Sequence, residues 1–347
     1  MKTSNNPILI LYTELAEYTL ACIEELSLQN TNIHVVRWPI NSEAPFKFRE
    51  INGVTFYERH DYSTQQLLEL TKKLNPSLVL CSGWVDPAYI KCCKQLKKNC
   101  PTVLTLDNHW QGSALQRIKT LVAKYTLMSA FTHAWVPGKP QLPFVKKLGV
   151  PEPNIHTGFY SADLNLFQSP KRTKISKKFL FVGRYLEFKG IFELWQAFSQ
   201  LKKQANTSWE LHCVGHGDLW EERVQSEGII HHGFLQPKEL KTLVNECNVF
   251  VLPSHKEPWG VVVHEMAASG LALLCSDKIG ASTTFLEEGK NGFIFKNQNT
   301  SDLQKALFKI TELTDEQLLN MSHHSQELAQ KISPKTWADT AKEIIGS

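Results

Sequence analysis

The stretch Phe179-Leu-Phe-Val-Gly-Arg-Tyr-Leu-Glu-Phe-Lys-Gly190 runs directly into Ile-Phe-Glu-Leu-Trp-Gln-Ala-Phe198. Its apolar start predicts a buried strand that ends at Gly183, and the spacing of apolar residues after Gly190 predicts a helix. Arg184 and Lys189 would then lie at the carboxyl end of a strand, beside a helix N-terminus. Two cations there suit a diphosphate and the charge that grows on it as a leaving group. The alternative interpretation is a solvated basic loop.

The same alternation of strands and helices continues along the chain and predicts two α/β domains with parallel sheets. Predicted strands cover 8–12, 33–38, 78–82, 103–107 and 134–137, then 178–183, 210–214, 229–231, 249–253 and 271–276. Predicted helices cover 15–29, 63–74, 88–98 and 112–129, then 190–204, 237–246, 260–268 and 300–314. The basic stretch 171–174 is interpreted as a linker. We expect two Rossmann-like, doubly wound domains that face each other across a cleft.

The composition limits the class of protein. The 347 residues are 42% hydrophobic and 21% charged, which is typical of globular domains and excludes a disordered or fibrous chain. Residues 1–160 hold 17 Lys and Arg against 12 Asp and Glu, so the excess positive charge lies in the first half. Eight cysteines without a Cys-x-x-Cys pair favour a reduced, cytoplasmic protein without a zinc site. We expect no transmembrane segment, no signal peptide and no binding of nucleic acid.

A second strand–loop–helix unit carries two carboxylates. It reads Val251-Leu-Pro-Ser-His-Lys-Glu-Pro-Trp-Gly-Val-Val-Val-His-Glu265, with Pro258 and Gly260 marking the turn. If Glu257 lies in the loop and Glu265 in the helix, the two carboxylates can address different parts of one elongated ligand, and carboxylates are good acceptors for sugar hydroxyls. Free amides at the helix start would add an anion contact. The alternative is an ordinary surface glutamate beside a helix-start acid.

The order of the motifs is more specific than any one of them. Gly183-Arg-x4-Lys-Gly190 is followed by Val214-Gly-His-Gly217, His232-Gly-Phe-Leu235, Glu257-x7-Glu265 and Gly289-x-Asn-Gly-Phe293. This series resembles the C-terminal domain of the retaining glycosyltransferases of family 4, which have the two-domain GT-B fold. The resemblance is close over 178–309 and looser over Pro137-Gly138 and 155–163.

The resemblance implies a role for each matching position. Arg184 and Lys189, after Gly183, would hold the donor's diphosphate, Glu257 the transferred sugar and Glu265 the ribose. The nucleobase would lie near Gly215, Gly217, Phe234 and Leu235. The loop Pro258, Trp259, Gly260, Val261 and Val262 would cap the sugar and phosphates. A sugar would pass from a UDP- or GDP-linked donor to an acceptor hydroxyl with retention, the departing phosphate helping to deprotonate the acceptor.

The domains that the resemblance implies are 1–160 for the acceptor and 161–330 for the nucleotide sugar. A final helix over 331–347 would cross back to the N-domain. No Asp-x-Asp pair occurs, so we expect Arg184 and Lys189 to do the charge neutralisation that a metal ion performs in other transferases. The prediction is activity without a metal or cofactor, with the nucleotide sugar as co-substrate.

Further candidates lie in the first half. Asp107, His109 and Trp110 follow a predicted strand, and family members place a histidine near the donor sugar there; the alternative is a His–Trp pair that closes a loop over the core. The first strand lacks the family's glycine-rich loop, so Glu14 and Glu17 are candidates on the acceptor side.

Two helices of the first half carry the basic excess. Lys91, Lys94, Lys97 and Lys98 lie on one, and Arg117, Lys119 and Lys124 alternate with apolar residues on the next. Such a surface could rest on the inner face of an anionic membrane and present a glycan or lipid-linked acceptor, as in surface polysaccharide assembly. The alternative is a solvated face. The competing function for the whole chain is a non-catalytic, two-domain protein that binds sugars or nucleotides.

Overall fold

The computed structural model describes residues 6–29, 32–39, 50–205 and 207–346. The chain forms two compact units, Met1–Ser161 together with Ile332–Ser347, and Ala162–Lys331. Each unit contains a parallel sheet with helices on its faces, so the predicted class of two α/β domains is confirmed.

Among the described residues of the first unit, the sheet has seven strands in the order β3-β2-β1-β4-β5-β6-β7, and all its pairs are parallel. The strands are β1 (Ile8–Tyr12), β2 (Ile33–Arg37), β3 (Val54–Glu58), β4 (Leu78–Ser82), β5 (Thr102–Thr105), β6 (His133–Val136) and β7 (Ile155–Thr157). Its first helices are α1 (Glu17–Leu28), α2 (Thr64–Leu74), α3 (Pro87–Leu96), α4 (Ala114–Thr126) and α5 (Leu142–Leu148).

Strand β1 shows why this sheet is covered on both faces. All five of its residues are buried. Leu9 and Leu11 pack in one hydrophobic cluster, while Ile8, Ile10 and Tyr12 pack in the other. Alternate side chains therefore enter two separate cores, which is why the strand reads as a continuous apolar run.

The sheet of the second unit has six parallel strands in the order β10-β9-β8-β11-β12-β13. They are β8 (Lys178–Val182), β9 (Glu210–Val214), β10 (Ile229–Gly233), β11 (Val249–Leu252), β12 (Ala272–Ser276) and β13 (Gly292–Phe295). Its helices are α6 (Leu164–Phe167), α7 (Ile191–Ala205), α8 (Pro237–Glu246), α9 (Val261–Ala268), α10 (Ser282–Phe285), α11 (Thr300–Thr311) and α12 (Asp315–Ala329).

The last helix, α13 (Pro334–Gly346), belongs to the core of the first unit. Trp337 stacks on Trp135 with ring centroids 4.9 Å apart, and its indole N–H donates to the carbonyl of Phe159 at 2.9 Å. The chain thus returns to the unit in which it began.

Some elements differ from the prediction. The linker assigned to 171–174 was wrong: the units divide at Ser161 and Ala162, and Arg172 donates to the carbonyls of Val244, Asn245 and Ser269 within the second unit. The strands β3, β7 and β13 and the helices α5, α6, α10 and α12 were not predicted. All eight cysteines are buried and outside any disulfide, and no helix among the described residues is long and apolar enough to span a bilayer.

Candidate active site

The carboxyl ends of β8 and β11 bring Lys189 and Glu257 together. The ammonium group of Lys189 forms an ion pair with Glu257, and both side chains are only 16% exposed. The hydroxyl of Ser254 donates to the same carboxylate at 3.4 Å. Both ions of a largely buried pair lose hydration, so each depends on its partner. A polar ligand that enters here can therefore replace Glu257 at the ammonium group or Lys189 at the carboxylate.

Gly190 makes this approach of the two loops possible. It has φ +69°, and a Cβ at this position would lie 2.2 Å from the carbonyl oxygen of Pro253. Only glycine allows both the left-handed backbone and the close contact with the end of β11. The glycine after Lys189 therefore sets where the lysine lies.

The loops that follow β8 and β9 are joined by backbone hydrogen bonds. Gly183 N–H donates to the carbonyl of Val214, and Tyr185 N–H to that of His216, each at 3.0 Å. A Cβ on Gly215 would lie 1.9 Å from the carbonyl oxygen of Gly183. The predicted base-site glycine thus has a packing requirement of its own, and Arg184, in the first of the two joined loops, is exposed.

The loop 257–262 is held by the segment after β12. Gly280 N–H donates to the Glu257 carbonyl at 3.0 Å, and Ala281 N–H to the Trp259 carbonyl at 2.9 Å. The Trp259 side chain is 1% exposed and packs edge-on against Phe285. Its indole therefore belongs to the core, and only the backbone at this position is placed to face a ligand.

Helix α9 begins directly after this loop. Gly260 adopts φ +89°, and the helix starts at Val261. The first amides of a helix have no partner within it, so the backbone of Val261 and Val262 presents N–H groups at the positive end of the helix dipole. Pro258 precedes this turn in the same loop.

One turn further along α9, Glu265 is half-buried. Desolvation raises the pKa of its carboxyl to about 7, and the negative charge of Asp163 adds to the rise. About half of the Glu265 carboxyls are therefore protonated at pH 7 in the ligand-free protein. Such a carboxyl can both donate to and accept from a diol.

The remaining predicted residues of the second unit lie after β10. Phe234 is 41% exposed, and Leu235 beside it is half-buried. His216 stacks on Trp220 with centroids 5.0 Å apart. These aromatic side chains follow the ends of the neighbouring strands β9 and β10.

Two histidines near these loops have local structural roles. The imidazole of His264 accepts from Ala162 N–H and donates to the Ala329 carbonyl, and burial lowers its pKa to about 4. His255 contacts the Glu193 carboxylate at 2.7 Å. Each fixes backbone or loop structure.

In the first unit, the loop after β5 carries Asp107, His109 and Trp110. The Nε2 atom of His109 lies 2.9 Å from the amide nitrogen of Gln141, which also donates to the Asp107 carbonyl at 3.2 Å. The Trp110 ring is covered by Phe144 and by the Lys147 amine, 4.8 Å from its centroid. That packing favours, for Trp110, the alternative of a loop closed over the core, and both Trp110 and His109 are half-buried.

The predicted acceptor-side acids lie after β1. Glu14 is exposed, and Glu17 is the first residue of α1. The hydroxyl of Ser82 accepts from Thr13 N–H at 2.8 Å and so joins the loops after β1 and β4. Sequence reasoning missed Ser82 and Gln141, because an isolated polar residue at a strand end carries no periodic signal.

The described residues contain no group of three His, Cys, Asp or Glu side chains placed to hold a metal ion.

A known protein family matches the second unit. Residues 164–329 match the model of the glycosyl transferases group 1 family. The second unit belongs to this family. The match coincides with the unit that carries Lys189, Glu257 and Glu265, so the resemblance read from the motif series is confirmed.

Two relatives illustrate the family. The chain is 30% identical over 164 residues to the N,N'-diacetylbacillosaminyl-diphospho-undecaprenol alpha-1,3-N-acetylgalactosaminyltransferase of Campylobacter jejuni, covering 45% of this chain and 42% of that protein. It is 28% identical over 109 residues to the D-inositol 3-phosphate glycosyltransferase of Corynebacterium urealyticum, covering 31% and 24%. The chain thus matches less than half the length of these relatives.

Solved structures resemble the chain over nearly its whole length. HepE of Anabaena in complex with UDP and glucose has a TM-score of 0.71 at 13% identity, covering 97% of this chain and 99% of that one. Sucrose-phosphate synthase of Thermosynechococcus elongatus has a TM-score of 0.73 at 16% identity, covering 97% and 98%. At these identities the likeness establishes the fold, which is GT-B.

Proposed function

We propose that this group 1 protein is a retaining glycosyltransferase that moves a sugar from a UDP- or GDP-linked donor to an acceptor hydroxyl. The observation that carries the proposal is the Lys189–Glu257 ion pair at the ends of β8 and β11, next to the start of α9. Within one unit, a cation and helix-start amides suit the diphosphate of a nucleotide sugar, and the carboxylates of Glu257 and Glu265 suit the hydroxyls of its sugar and its ribose.

Donor binding is an exchange of partners at this pair. The diphosphate takes over the ammonium group of Lys189, together with the guanidinium of Arg184, and Glu257 turns to the hydroxyls of the sugar. The α9 amides of Val261 and Val262 stabilise the same negative charge. As the glycosidic bond to the diphosphate breaks, the charge that grows on the departing phosphate is met by groups already in place.

Glu265 is assigned to the ribose. Its protonated carboxyl in the ligand-free state avoids a buried charge next to Asp163. A diol that donates to the carboxyl favours its ionised form. Nucleotide binding is therefore expected to release a proton near neutral pH.

The proposal is tested first by ligand-induced stabilisation and then by turnover. UDP and GDP sugars are screened for a rise in melting temperature, because a ligand that binds only the folded state stabilises it. Lys189→Ala removes a charge-assisted contact and should weaken donor binding about 10- to 100-fold. Lys305→Ala, an exposed lysine on α11, is the matched control.

Turnover separates this proposal from a non-catalytic sugar- or nucleotide-binding protein. The enzyme should release nucleotide from its donor, by hydrolysis or by transfer to added sugars, and Glu257→Gln should abolish release more than donor binding. A donor that binds without turnover under all acceptor conditions would favour the binding protein. Lys189→Ala with wild-type affinity and rate would refute the site.

We also propose that the acceptor is a lipid-linked sugar or glycan and that α4 rests on an anionic membrane. Five large apolar side chains on this 13-residue helix are 56–72% exposed. They are Leu115, Ile118, Leu121, Val122 and Tyr125. At about 100° per residue they cover one arc of about 120°, opposite the buried Thr120.

Cations flank this apolar arc on both sides. Lys119 lies next to Leu115 on the helical wheel, and Arg117 and Lys124 lie beyond Leu121. No acidic residue occurs in α4. Apolar side chains facing outward between rows of cations match the boundary of an anionic bilayer. The name of the Campylobacter relative includes a diphospho-undecaprenol carrier, which fits an acceptor held at such a surface.

The structure also changes the predicted lysine set on α3. Lys91, Lys94 and Lys98 are exposed, whereas the ammonium group of Lys97 donates to the Met128 carbonyl at 3.0 Å. Because its ammonium group is bound within the protein, Lys97 is not part of the proposed membrane surface.

Vesicle flotation tests this surface. The protein should float with vesicles of phosphatidylglycerol and phosphatidylcholine at low salt, and less so with phosphatidylcholine alone. Leu121→Glu with Val122→Glu should prevent flotation without changing the melting temperature, since both side chains face solvent. Phe308→Glu, at an exposed aromatic residue of α11, is the control. Equal flotation of all three proteins would contradict the assignment.

A further inference from the structure

A single buried amide determines which nitrogen of His109 carries the proton. Gln141 is completely buried at the turn after β6. Its side-chain oxygen accepts from Gly138 N–H at 3.2 Å, and its nitrogen donates to the Asp107 carbonyl at 3.2 Å. A backbone N–H can only donate and a backbone carbonyl can only accept. These two contacts therefore fix the orientation of the amide without reference to the histidine.

The orientation of the amide has a consequence for the imidazole. The second hydrogen of the Gln141 amide points at Nε2 of His109, 2.9 Å away. That atom must accept, so the proton of the neutral ring lies on Nδ1. The opposite tautomer would set two N–H groups against each other and leave a buried donor unsatisfied, which disfavours it.

The backbone of the same loop is fixed by a second glutamine. The side-chain nitrogen of Gln116 on α4 donates to the His109 carbonyl at 2.9 Å. Its oxygen accepts from the N–H groups of Gln111 and Gly112 at 2.7 and 3.0 Å. Ring and backbone of His109 are thus oriented by amides from two different elements, and neither amide changes charge with pH.

We infer that Gln141 is a positioning residue that presents His109 as an Nδ1–H donor. The catalytic consequence rests on the proposed function: a fixed N–H donor can hold a hydroxyl of the transferred sugar, and a ring locked in this tautomer cannot offer Nδ1 as a base. The tautomer itself does not depend on that function, since it follows from the contacts of Gln141 alone.

Nitrogen-15 NMR of histidine-labelled protein tests the tautomer directly. Long-range nitrogen–proton correlations distinguish Nδ1–H from Nε2–H rings, and the His109→Asn variant identifies the signal among the 13 histidines. At pH 8 we expect the Nδ1–H pattern in the wild-type protein. An Nε2–H pattern, or a mixture of the two, overturns the inference whether or not a variant folds.

Reversing the hydrogen bond gives the second measurement. Gln141→Glu replaces the donor by an acceptor and should shift His109 to the Nε2–H form. Turnover should fall about tenfold or more, while the melting shift induced by the donor nucleotide stays unchanged. Gln95→Glu, on the exposed side of α3, should leave spectrum and turnover as in the wild type.

These outcomes separate the inference from the proposed function. A correct tautomer in a protein without transferase activity leaves the positioning intact and refutes the function. Gln141→Glu that shifts the tautomer but keeps full turnover refutes the catalytic part. A folded Gln141→Glu variant that keeps the Nδ1–H ring shows that Gln141 does not set the tautomer.

Discussion

Replacing Glu265 by glutamine should stabilise the second unit at alkaline pH. The pKa of the Glu265 carboxyl is about 7 in the folded protein, against 4.5 for an ordinary glutamate. Between these values the folded state keeps a proton that the unfolded state releases. The contribution of this group to stability therefore falls as the pH rises from 4.5 to 7, and the full penalty remains above pH 7.

The size of the effect follows from the shift. A rise from 4.5 to about 7 corresponds to about 3 kcal/mol. Since Glu265 keeps some contact with solvent, the expected penalty is about 2 kcal/mol. Glutamine is neutral at every pH and fills nearly the same volume, so Glu265→Gln should recover this energy only where the wild-type carboxyl is ionised. In a unit of this size that is a rise of about 5 °C in the melting temperature.

The assay compares melting temperatures of wild type and variant from pH 5 to pH 8.5. The difference should be small at pH 5 and should reach its full value above pH 7. Glu312→Gln, at an exposed residue that follows α11, gives the response of an ordinary glutamate. A difference for Glu265→Gln that does not change with pH would refute the burial argument. The same variant should bind nucleotide more weakly, because stability and function compete at this site.

Three further predictions concern the same unit. Gly190→Ala should lower the unfolding free energy by more than Gly289→Ala. Both glycines have positive φ, but only the Cβ at Gly190 would clash, since a Cβ at Gly289 has no atom within 4 Å. Equal losses of unfolding free energy in denaturant titrations would show that the clash with the Pro253 carbonyl does not explain the cost. His264→Gln should lower the unfolding free energy most at neutral pH and progressively less as the pH falls from 6.5 towards 4. The pKa of the buried imidazole is about 4, so the wild type itself loses stability over that range. A loss of melting temperature that does not change with pH would contradict this. Turnover should survive EDTA, and loss of activity that manganese restores would refute metal-independent charge neutralisation at Arg184 and Lys189.

Most of the fold was predictable from sequence because its central strands are buried on both faces. Strands such as β8 and β11 read as unbroken apolar runs that end at turn residues, and their positions were predicted to within a residue. The missed strands β3, β7 and β13 are all edge strands, where pairing on one side only leaves a weaker pattern. Thr55, for example, is exposed in the middle of β3.

The site could be predicted where the backbone itself demands a residue type. A Cβ at Gly190 or Gly215 would lie 2.2 or 1.9 Å from a backbone carbonyl oxygen, so glycine is required at both positions. These glycines make the motif that contains Lys189 recognisable in the sequence. The group 1 family match covers residues 164–329, which include this motif. Side-chain environments could not be predicted: Trp259 turned out to be core, Lys97 to be bound to a carbonyl, and Gln141 has no signal in the sequence.

The charge asymmetry between the halves takes on a physical meaning in the structure. In the second unit, Lys189 is already paired with Glu257, so binding a diphosphate exchanges one anion for another at short range. Such contacts are screened little by salt. In the first unit, Lys119 and Lys124 are exposed beside an apolar arc on α4. Attraction between exposed cations and an anionic lipid surface weakens as the ionic strength rises. In the proposed function the two halves would use positive charge differently: the second for a specific ligand held by geometry, and the first for a surface whose attraction depends on the surrounding salt.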